Sequence, residues 1–353
     1  MVKEYGYEYD TILDKELYRK TKDKVTLEKF MGAMCFRSGR DALKAIAREF
    51  DPTIVLIPAL SCDSMILPFK MYGHKIEYYR LNEDYSINLE SFYNLIKKEV
   101  KTILFLYMDY FGNQAVNDVE LKKMQINNPS LVFIEDRTHN LFVENSREFQ
   151  ADFTVASLRK WIDIPDGGLL WMRRKLKNIE YSDDLNFFET RLYAQCMRNK
   201  FLTCGDENIK AEYRKIFSTV TDMIDNEKLP GLMSGYAYEK ACMIDLKKVN
   251  NIRQRNAEIL IEELNDFSFV QDKSGYGHVY VAVLIDNRDV IQRKLASLGI
   301  FCTIIWPLNE EQKSTCEVAK YTEEHILTIY CDQRYSVEDI EYIASCIRRV
   351  CNE

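Results

Sequence analysis

Short apolar runs alternate with helical or loop segments between residues 31 and 180. The runs are rich in β-branched and aromatic residues, and they span residues 54–58, 76–80, 102–107, 131–135, 153–157 and 168–172. Strands that alternate with helices predict a mostly parallel sheet wrapped by helices. Ligands bind to such sheets at the carboxyl ends of the strands, so the residues that follow each run are the first candidates for a functional site.

One lysine lies between the last two runs. Lys160 stands three residues after Ser157 and seven before the pair Gly167-Gly168. A solvated loop lysine is common, but this spacing is also typical of a Schiff-base lysine beside a phosphate site. The lysine would hold the aldehyde of pyridoxal phosphate (PLP), and the serine hydroxyl would bind the phosphate. The pattern therefore indicates a PLP site.

A second candidate follows the run at 131–135. This run ends in two carboxylates, and a buried parallel strand would deliver Asp136 at its carboxyl end. A PLP enzyme needs a carboxylate against the pyridine nitrogen, because the charge keeps that nitrogen protonated. Asp136 could instead cap the next helix. His139 could brace the carboxylate or the cofactor ring, or it could be a satisfied core residue.

A third segment would complete a phosphate site. Ser38, Gly39 and Arg40 precede an amphipathic run at residues 42–50. The first turn of a helix presents free N–H groups and the positive end of the helix dipole, which together bind anions. A Ser-Gly pair before a helix is also an ordinary N-cap. The three segments in this order are far more specific than any one of them.

On these segments, the chain resembles the DegT/DnrJ/StrS-type sugar aminotransferases, which are PLP enzymes of fold-type I. The family's Ser-Gly-Thr corresponds to Ser38-Gly39-Arg40, and its Glu-Asp-Ala-Ala-His/Gln is similar to residues 135–139. Its lysine followed by Gly-Glu/Asp-Gly-Gly is similar to residues 160–168. The resemblance covers roughly residues 30 to 350. It implies an α/β fold with a mostly parallel, seven-stranded type of sheet wrapped by helices, and a smaller α+β C-terminal domain.

The resemblance also implies an activity and a set of site residues. The expected reaction transfers an amino group from an amino acid such as glutamate to a nucleotide-activated keto sugar, in the biosynthesis of surface polysaccharide or a related glycan. Lys160, Asp136 and His139 are the expected catalytic residues, and no metal is expected. The residues expected to contact PLP are Ser38, Gly39, Arg40, Cys62, Asp136, His139, Ser157 and Lys160.

Two positions depart from the family. Cys62 stands where the family has a stacking aromatic residue, and Pro230-Gly231-Leu232 stands near the Asn-x-Arg motif by which a neighbouring subunit reaches the phosphate. A homodimer is still implied. The departures leave open another PLP-dependent reaction, such as a lyase or dehydratase, or an inactive fold-type I scaffold. Lys160 argues against the dehydratases, in which the lysine is commonly replaced by histidine.

The pattern predicts three parts of the chain. Residues 1–30 form an N-terminal arm, residues 31–235 form the large PLP-binding domain, and residues 236–353 form the small α+β domain with a bridging helix. Within these parts, we expect a helical excursion at 183–228 and one long helix over 236–264.

Composition argues against nucleic-acid and membrane partners, and the small-molecule substrates and the second copy of the chain are implied by the resemblance alone. A net charge of −7 without a dense basic stripe gives no reason to expect nucleic-acid binding. No apolar run approaches the about 18 residues of a membrane span, and the first residues do not resemble a signal peptide. The ten cysteines are scattered, with no Cys-x-x-Cys pair. We therefore expect a reduced, cytoplasmic protein.

Overall fold

The structure, a computed structural model, describes residues 2–11, 17–18, 30, 32–96, 101–142, 148–177, 180–270 and 279–353. A seven-stranded sheet lies at its centre, and the strands before and within it are β1 (Tyr5–Gly6), β2 (Met34–Phe36), β3 (Ile54–Pro58), β4 (Lys75–Tyr79), β5 (Ile103–Met108), β6 (Leu131–Asp136), β7 (Phe153–Ala156) and β8 (Gly168–Met172). The order across the sheet is β2-β8-β7-β6-β5-β3-β4. Strands β3 to β7 run parallel, whereas β8 and β2 are antiparallel to their neighbours. The predicted mostly parallel sheet is confirmed.

The central strands are buried along their whole length. Every residue of β5 and β6 is buried, as expected for parallel strands that are covered by helices on both faces. The helices that follow β2, β3, β4 and β5 are α1 (Gly39–Glu49), α2 (Asp63–Met71), α3 (Leu89–Leu95) and α4 (Asp118–Asn127). All six predicted apolar runs agree with the observed strands to within one residue at each end, because continuous β-branched runs have clear ends.

A helical hairpin follows the sheet. Helix α5 (Asn186–Cys204) ends at Gly205, whose φ of 71° is left-handed, and α6 (Glu207–Asp225) begins after Asp206, whose side chain accepts a hydrogen bond from the Asn208 amide. A left-handed glycine after one helix and an aspartate before the next are the usual signals for such a turn. The predicted helical excursion is confirmed.

The segment predicted as one long helix contains two helices. Helix α7 (Gly235–Met243) and helix α8 (Leu246–Glu263) are separated at Ile244 and Asp245. The Asp245 side chain accepts a hydrogen bond from the Lys248 amide, so it caps α8. Ile244 forms a β-bridge with Tyr18. An aspartate that caps a helix and a residue held by a bridge both favour a break here.

The C-terminal part is a smaller layered unit. Its strands are β9 (Ser268–Phe269), β10 (Val281–Leu284), β11 (Ile300–Phe301) and β12 (Ile326–Ile329), and its helices are α9 (Arg288–Ser297), α10 (Glu310–Thr315), α11 (Glu317–His325) and α12 (Val337–Asn352). Strands β12, β10 and β9 form an antiparallel sheet, while β11 pairs with β1. The N-terminal segment therefore attaches to this unit. Much of the predicted arm, at 12–16 and 19–29, lies outside the described residues.

A single buried arginine connects these parts. Arg253 on α8 has 0% of its surface exposed, and its guanidinium donates to the Gln333 side chain at 2.9 Å and the Val279 carbonyl at 3.2 Å. It also donates to the Tyr9 hydroxyl at 2.6 Å and the Trp161 carbonyl at 2.9 Å. The N-terminal segment, the turn that contains Lys160 and the C-terminal unit therefore share one hydrogen-bonding group.

Replacing this arginine should destabilise the whole chain. The Arg253→Met variant would remove the donor to two buried acceptors, the Gln333 side-chain oxygen and the Val279 carbonyl, and each unpaired acceptor costs about 1–3 kcal/mol. We expect the free energy of unfolding to fall by about 3–5 kcal/mol in chemical denaturation. The exposed Arg293 on α9 provides the control, since Arg293→Met should change the free energy of unfolding by less than about 0.5 kcal/mol. Equal losses in both variants would contradict the assignment.

Candidate active site

The carboxyl ends of the parallel strands open into one cleft with an empty volume of about 580 Å³. All eight residues that the sequence proposed for PLP line it, and the complete lining is Ser38, Gly39, Arg40, Leu43, Cys62, Ser64, Met65, Met108, Asp136, Thr138, His139, Ser157, Arg159, Lys160, Thr221, Ile224 and Trp306. The structure therefore brings the proposed residues together, and their individual roles stay predictions.

Asp136 is held at the end of β6 by Thr138. The Thr138 amide donates to Asp136 Oδ1 at 2.8 Å, and the Thr138 hydroxyl accepts from the Ser157 amide at 3.1 Å. Thr138 thus joins the ends of β6 and β7. Residues 137–142 form turns rather than an α-helix, so Asp136 does not cap a helix in this stretch.

Burial perturbs the two principal titratable groups of the cleft. Removal from water raises the pKa of Asp136, although its bonds to Thr138 and the nearby charge of Lys160 oppose the change. Removal from water also lowers the pKa of Lys160, against the opposing effects of Cys62 and Asp136. A buried carboxylate is stabilised by a cation, and a lysine of lowered pKa is a better base and nucleophile near neutral pH.

The turn of Lys160 packs against the turn before α1. Residues 158–160 form a 3₁₀ turn, in which the Lys160 amide donates to the Ser157 carbonyl at 3.4 Å. A Cβ added to Gly39 would lie 3.4 Å from the Ser157 Cβ. The first turn of α1 and the Ser-x-x-Lys turn are therefore in van der Waals contact, as a shared phosphate site requires.

The glycine pair after Lys160 packs against the turn before α1. A Cβ at Gly168 would lie 2.1 Å from the Ser38 carbonyl carbon and 2.4 Å from the Gly39 nitrogen. The Gly167 amide donates to the Arg37 carbonyl at 2.8 Å. The pair thus allows β8 to approach the backbone of the Ser-Gly turn, and neither glycine belongs to the cleft lining.

The Arg40 side chain is already paired. Its guanidinium forms an ion pair with Asp225 on α6 and donates to the Ser64 hydroxyl at 2.7 Å. Both contacts hold the Arg40 guanidinium within the chain. The Ser38 hydroxyl is also used locally, because it accepts from the Asp41 amide and donates to the Asp41 carboxylate. The candidate anion-binding groups at this end are therefore the Gly39 and Arg40 amides of the first helical turn and the Ser157 hydroxyl.

Helix α6 of the same chain covers this end of the cleft. Thr221 and Ile224 belong to the lining. Lys44 on α1 donates to the carbonyls of Ile224 and Glu227, and Arg37 pairs with the Glu227 carboxylate at 2.6 Å. The C-terminal end of α6 is therefore fastened directly to the start of α1.

The segment at the family's Asn-x-Arg position adds an edge to the sheet. The Arg37 amide donates to the Gly231 carbonyl at 2.8 Å, and Leu232 forms an antiparallel bridge with Phe36. A Cβ at Gly231 would lie 2.8 Å from the Arg37 Cζ. Glycine is needed here because the arginine guanidinium lies directly over the backbone.

His139 forms one wall of the cleft and has an unused donor. Its ring stacks on Trp306 with centroids 5.7 Å apart, and its Nδ1 accepts from the Phe111 amide at 3.3 Å. Burial lowers the pKa of His139 well below its usual value. The ring is therefore neutral, and because Nδ1 accepts, Nε2 carries the proton. Among the described residues, buried Nε2 has no hydrogen-bond partner.

Comparisons with known proteins show the fold. No protein-family model matches the sequence, and no curated protein matches it. A DegT/DnrJ/EryC1/StrS aminotransferase from Brucella abortus is 16% identical over 98% of this chain and 92% of its own, with a TM-score of 0.64. Helicobacter pylori PseC, an aminotransferase of pseudoaminic acid biosynthesis, is 15% identical over 99% and 100%, with a TM-score of 0.65. The PMP-form of Streptococcus pneumoniae Spr1654 is 12% identical over 99% and 98%, with a TM-score of 0.68.

The chain has the fold of these aminotransferases. The α/β fold class predicted from the sequence is confirmed, including the mostly parallel sheet and the smaller C-terminal unit. Sequence identities of 12–16% show a shared fold, so the cleft itself has to carry the functional argument.

Nine lining residues were not among the proposed site residues, and three of them, Thr138, Arg159 and Thr221, are polar or charged residues with different sequence signals. Thr138 lies between two proposed residues and could have been recognised as a hydroxyl near a strand end. Arg159 precedes Lys160, but an arginine at this position belongs to no motif of the sequence. Thr221 lies on α6, far along the chain, and carries no sequence signal. In the part of the chain that the structure describes, no cluster of acidic, histidine or cysteine side chains could hold a metal. No described helix is long and apolar enough to cross a membrane.

Proposed function

We propose that the chain is a PLP-dependent aminotransferase. The observation that carries this proposal is the joint presence of Lys160 and Asp136 in one buried cleft of an aminotransferase fold. Burial lowers the pKa of the lysine amine, which favours its neutral, nucleophilic form. Solved forms of the Streptococcus pneumoniae protein include a PLP-form and a PMP-form, which supports the same cofactor here.

The cleft contains candidate partners for the aldehyde, the pyridine nitrogen and the phosphate of PLP. The Lys160 amine would hold the aldehyde, and the Asp136 carboxylate would accept from the pyridine nitrogen. The first-turn amides of α1 and the Ser157 hydroxyl would bind the phosphate. The unpaired Nε2 of His139 is a further donor within the same lining. When bound, PLP would supply an electron-accepting ring that stabilises a carbanion on the substrate.

The chain's own residues would then control protons. Lys160, once free and neutral, would remove the proton from the donor's Cα as a general base. Its ammonium form would then donate that proton to the C4′ position of the cofactor as a general acid. Asp136 would keep the ring nitrogen protonated, and that proton would in turn offset the cost of burying the carboxylate. The sulfur of Cys62 would replace the family's aromatic ring with a smaller contact.

The substrates are proposed from the shared fold and from the motifs. An amino acid such as glutamate would be the donor, and a nucleotide-activated keto sugar would be the acceptor, in polysaccharide or related glycan biosynthesis. Two neighbours in fold support this choice, namely the aminotransferase of pseudoaminic acid biosynthesis and the putative sugar aminotransferase Spr1654. No disulfide joins the ten cysteines, all of which lie in the described part of the chain, and this supports a reducing, cytoplasmic location.

One observation favours an inactive scaffold as the alternative. The Arg40 guanidinium pairs with Asp225 and α6 covers the proposed phosphate end, so this end is already filled by contacts within the chain. A visible absorption band on addition of PLP separates the two possibilities, since a scaffold without the cofactor gives none. A lyase would show the band as well, and its product from an amino acid would separate it from a transaminase.

Lys160 should be the residue that binds PLP covalently. After incubation with PLP and reduction with borohydride, peptide mass spectrometry should find a phosphopyridoxyl group on Lys160, because its amine is the one in the cleft. The Lys160→Ala variant should lose the label, and Lys175→Ala, which removes an exposed lysine, should keep it. Label on another residue, or none, would refute the proposed function.

Asp136 should be needed for the chemistry more than for binding. The Asp136→Asn variant keeps a side-chain acceptor for the Thr138 amide, so it should retain PLP. Loss of the negative charge should slow Cα deprotonation by at least tenfold, or about 1.4 kcal/mol of barrier, in single-turnover reactions with L-glutamate and L-alanine. The control is Asp152→Asn, which alters an aspartate that accepts from the Phe133 amide outside the cleft. A smaller effect than tenfold would assign Asp136 a structural role.

The active unit should be a homodimer. Exposed apolar side chains occur at and after the segment 230–232, namely Leu232, Tyr236 and Tyr238, and at Leu185 and Tyr193 before and on α5. Exposed apolar side chains of this kind support an interface. Sedimentation at micromolar concentration should give twice the mass of one chain, and Leu232→Asp should weaken the association. Val119→Asp, at an exposed valine on α4, is the control. A monomeric wild type that turns over would refute this proposal.

A further inference from the structure

The residue before Lys160 is an arginine with unused hydrogen-bonding capacity. The Arg159 side chain lines the cleft and is only 16% exposed. Its one ionic partner among the described residues is Glu8, at a nitrogen–oxygen distance of 4.0 Å, which is too long for a hydrogen bond. Its buried Nε has no hydrogen-bond partner in the described part of the chain. The Arg159 amide donates to the Gly167 carbonyl at 3.3 Å, so the backbone is fixed.

Glu8 does not neutralise Arg159, because another arginine holds it. Arg191 donates to both Glu8 carboxylate oxygens, at 2.7 and 3.4 Å, and to the Pro165 carbonyl at 2.8 Å. Burial alone would raise the pKa of Glu8, but Arg191 and Arg159 lower it to about 2, so the group stays anionic. One carboxylate between two guanidinium groups leaves one positive charge without a partner.

The environment of Arg159 makes this charge costly. Burial and the neighbouring Arg191 lower the pKa of Arg159 to about 10, so it remains protonated at neutral pH. A guanidinium has five N–H donors in a planar fork, and leaving them unpaired away from water is unfavourable. A carboxylate matches that fork with two parallel hydrogen bonds.

Arg159 has different partners from Arg40, the other arginine of the lining. The charged and polar groups that affect the pKa of Arg159 are Arg191, Glu8 of the N-terminal segment, Arg40 and Tyr280 beside β10. At the other arginine of the lining, Arg40 is bound to Asp225 and Ser64, next to the first turn of α1. Arg159 therefore lies where the N-terminal segment and the C-terminal unit meet the cleft, one residue from the reactive amine.

We propose that Arg159 is a binding residue for a carboxylate group of the amino-acid substrate. The inference rests on the proposed function, since it takes the Lys160 amine as the reactive group. It adds that the substrate carries a carboxylate that reaches the Arg159 guanidinium. Arg159 would thus orient the donor's Cα toward the Lys160 amine. Its role is binding and orientation, with no proton transfer.

Binding measurements with matched ligands test this assignment. The proteins are the PLP-loaded wild type, Arg159→Gln, Arg159→Lys and the surface control Arg293→Gln. The ligands are L-alanine and L-glutamate together with their α-amides, in which an uncharged group replaces the α-carboxylate, and L-glutamine, which lacks only the distal carboxylate of glutamate. Affinity is read from the change in the visible absorption of bound PLP and from calorimetry.

Arg159→Gln should weaken binding of the carboxylate ligands by about tenfold or more, with less than about threefold change for the amides. Arg159→Lys should recover part of the loss, because it keeps the charge without the fork. Arg293→Gln should match the wild type. Comparable losses for acids and amides, or a wild type that prefers no acid to its amide, would overturn the proposal.

Two further arms separate this proposal from its alternatives. If Arg159→Gln weakens the binding of PLP but leaves the binding of pyridoxal unchanged, the arginine binds the cofactor phosphate and the proposal fails. If the wild type gives no visible band with PLP, the proposed function fails instead, and calorimetry with the same acid and amide pairs still decides whether Arg159 binds a carboxylate.

Discussion

The buried guanidinium of Arg253 is the group on which the arrangement of the cleft depends. Its hydrogen bonds reach Tyr9, the Trp161 carbonyl and the C-terminal unit. Because a buried charge is tolerated only when its donors are used, these three parts have to meet around it. The Trp161 carbonyl belongs to the residue after Lys160, and the Trp161 indole donates to the Thr138 carbonyl at 2.7 Å. The position of the turn that carries Lys160 is therefore fixed by contacts with the N-terminal segment and the C-terminal unit.

The part of the site that could be predicted from the sequence is the part fixed by local rules. Asp136 follows a continuous apolar run, and such a run places its last residue at the carboxyl edge of a parallel sheet. Ser157 and Lys160 share one short turn, so their spacing already determines their proximity. Ser38 and Gly39 precede an amphipathic helix, whose first turn presents free amides. For the same reason, most strand ends were predicted within one residue.

The remaining features depend on contacts between distant residues. Arg40 pairs with Asp225, and no periodicity relates the two positions. Arg159 and Glu8 meet because the N-terminal segment joins β11 through β1. Glycine is needed at position 168 because a Cβ there would clash with the Ser38 backbone. The chain breaks before α8 because Ile244 forms a bridge with Tyr18 and Asp245 caps the next helix. A single sequence contains the residue types but not the pairing, which only the folded chain defines.

The attachment of α6 to α1 affects how the protein can change over evolution. The cover at the anion end belongs to the same polypeptide as the first turn of α1, through Lys44, Arg37 and Arg40. In the proposed homodimer, the anion end of the cleft would already be covered by its own chain, so the partner surface would not have to close it. Substitutions on that surface would alter self-association without changing the local environment of the anion end. Subunit association and ligand affinity would then respond to selection separately.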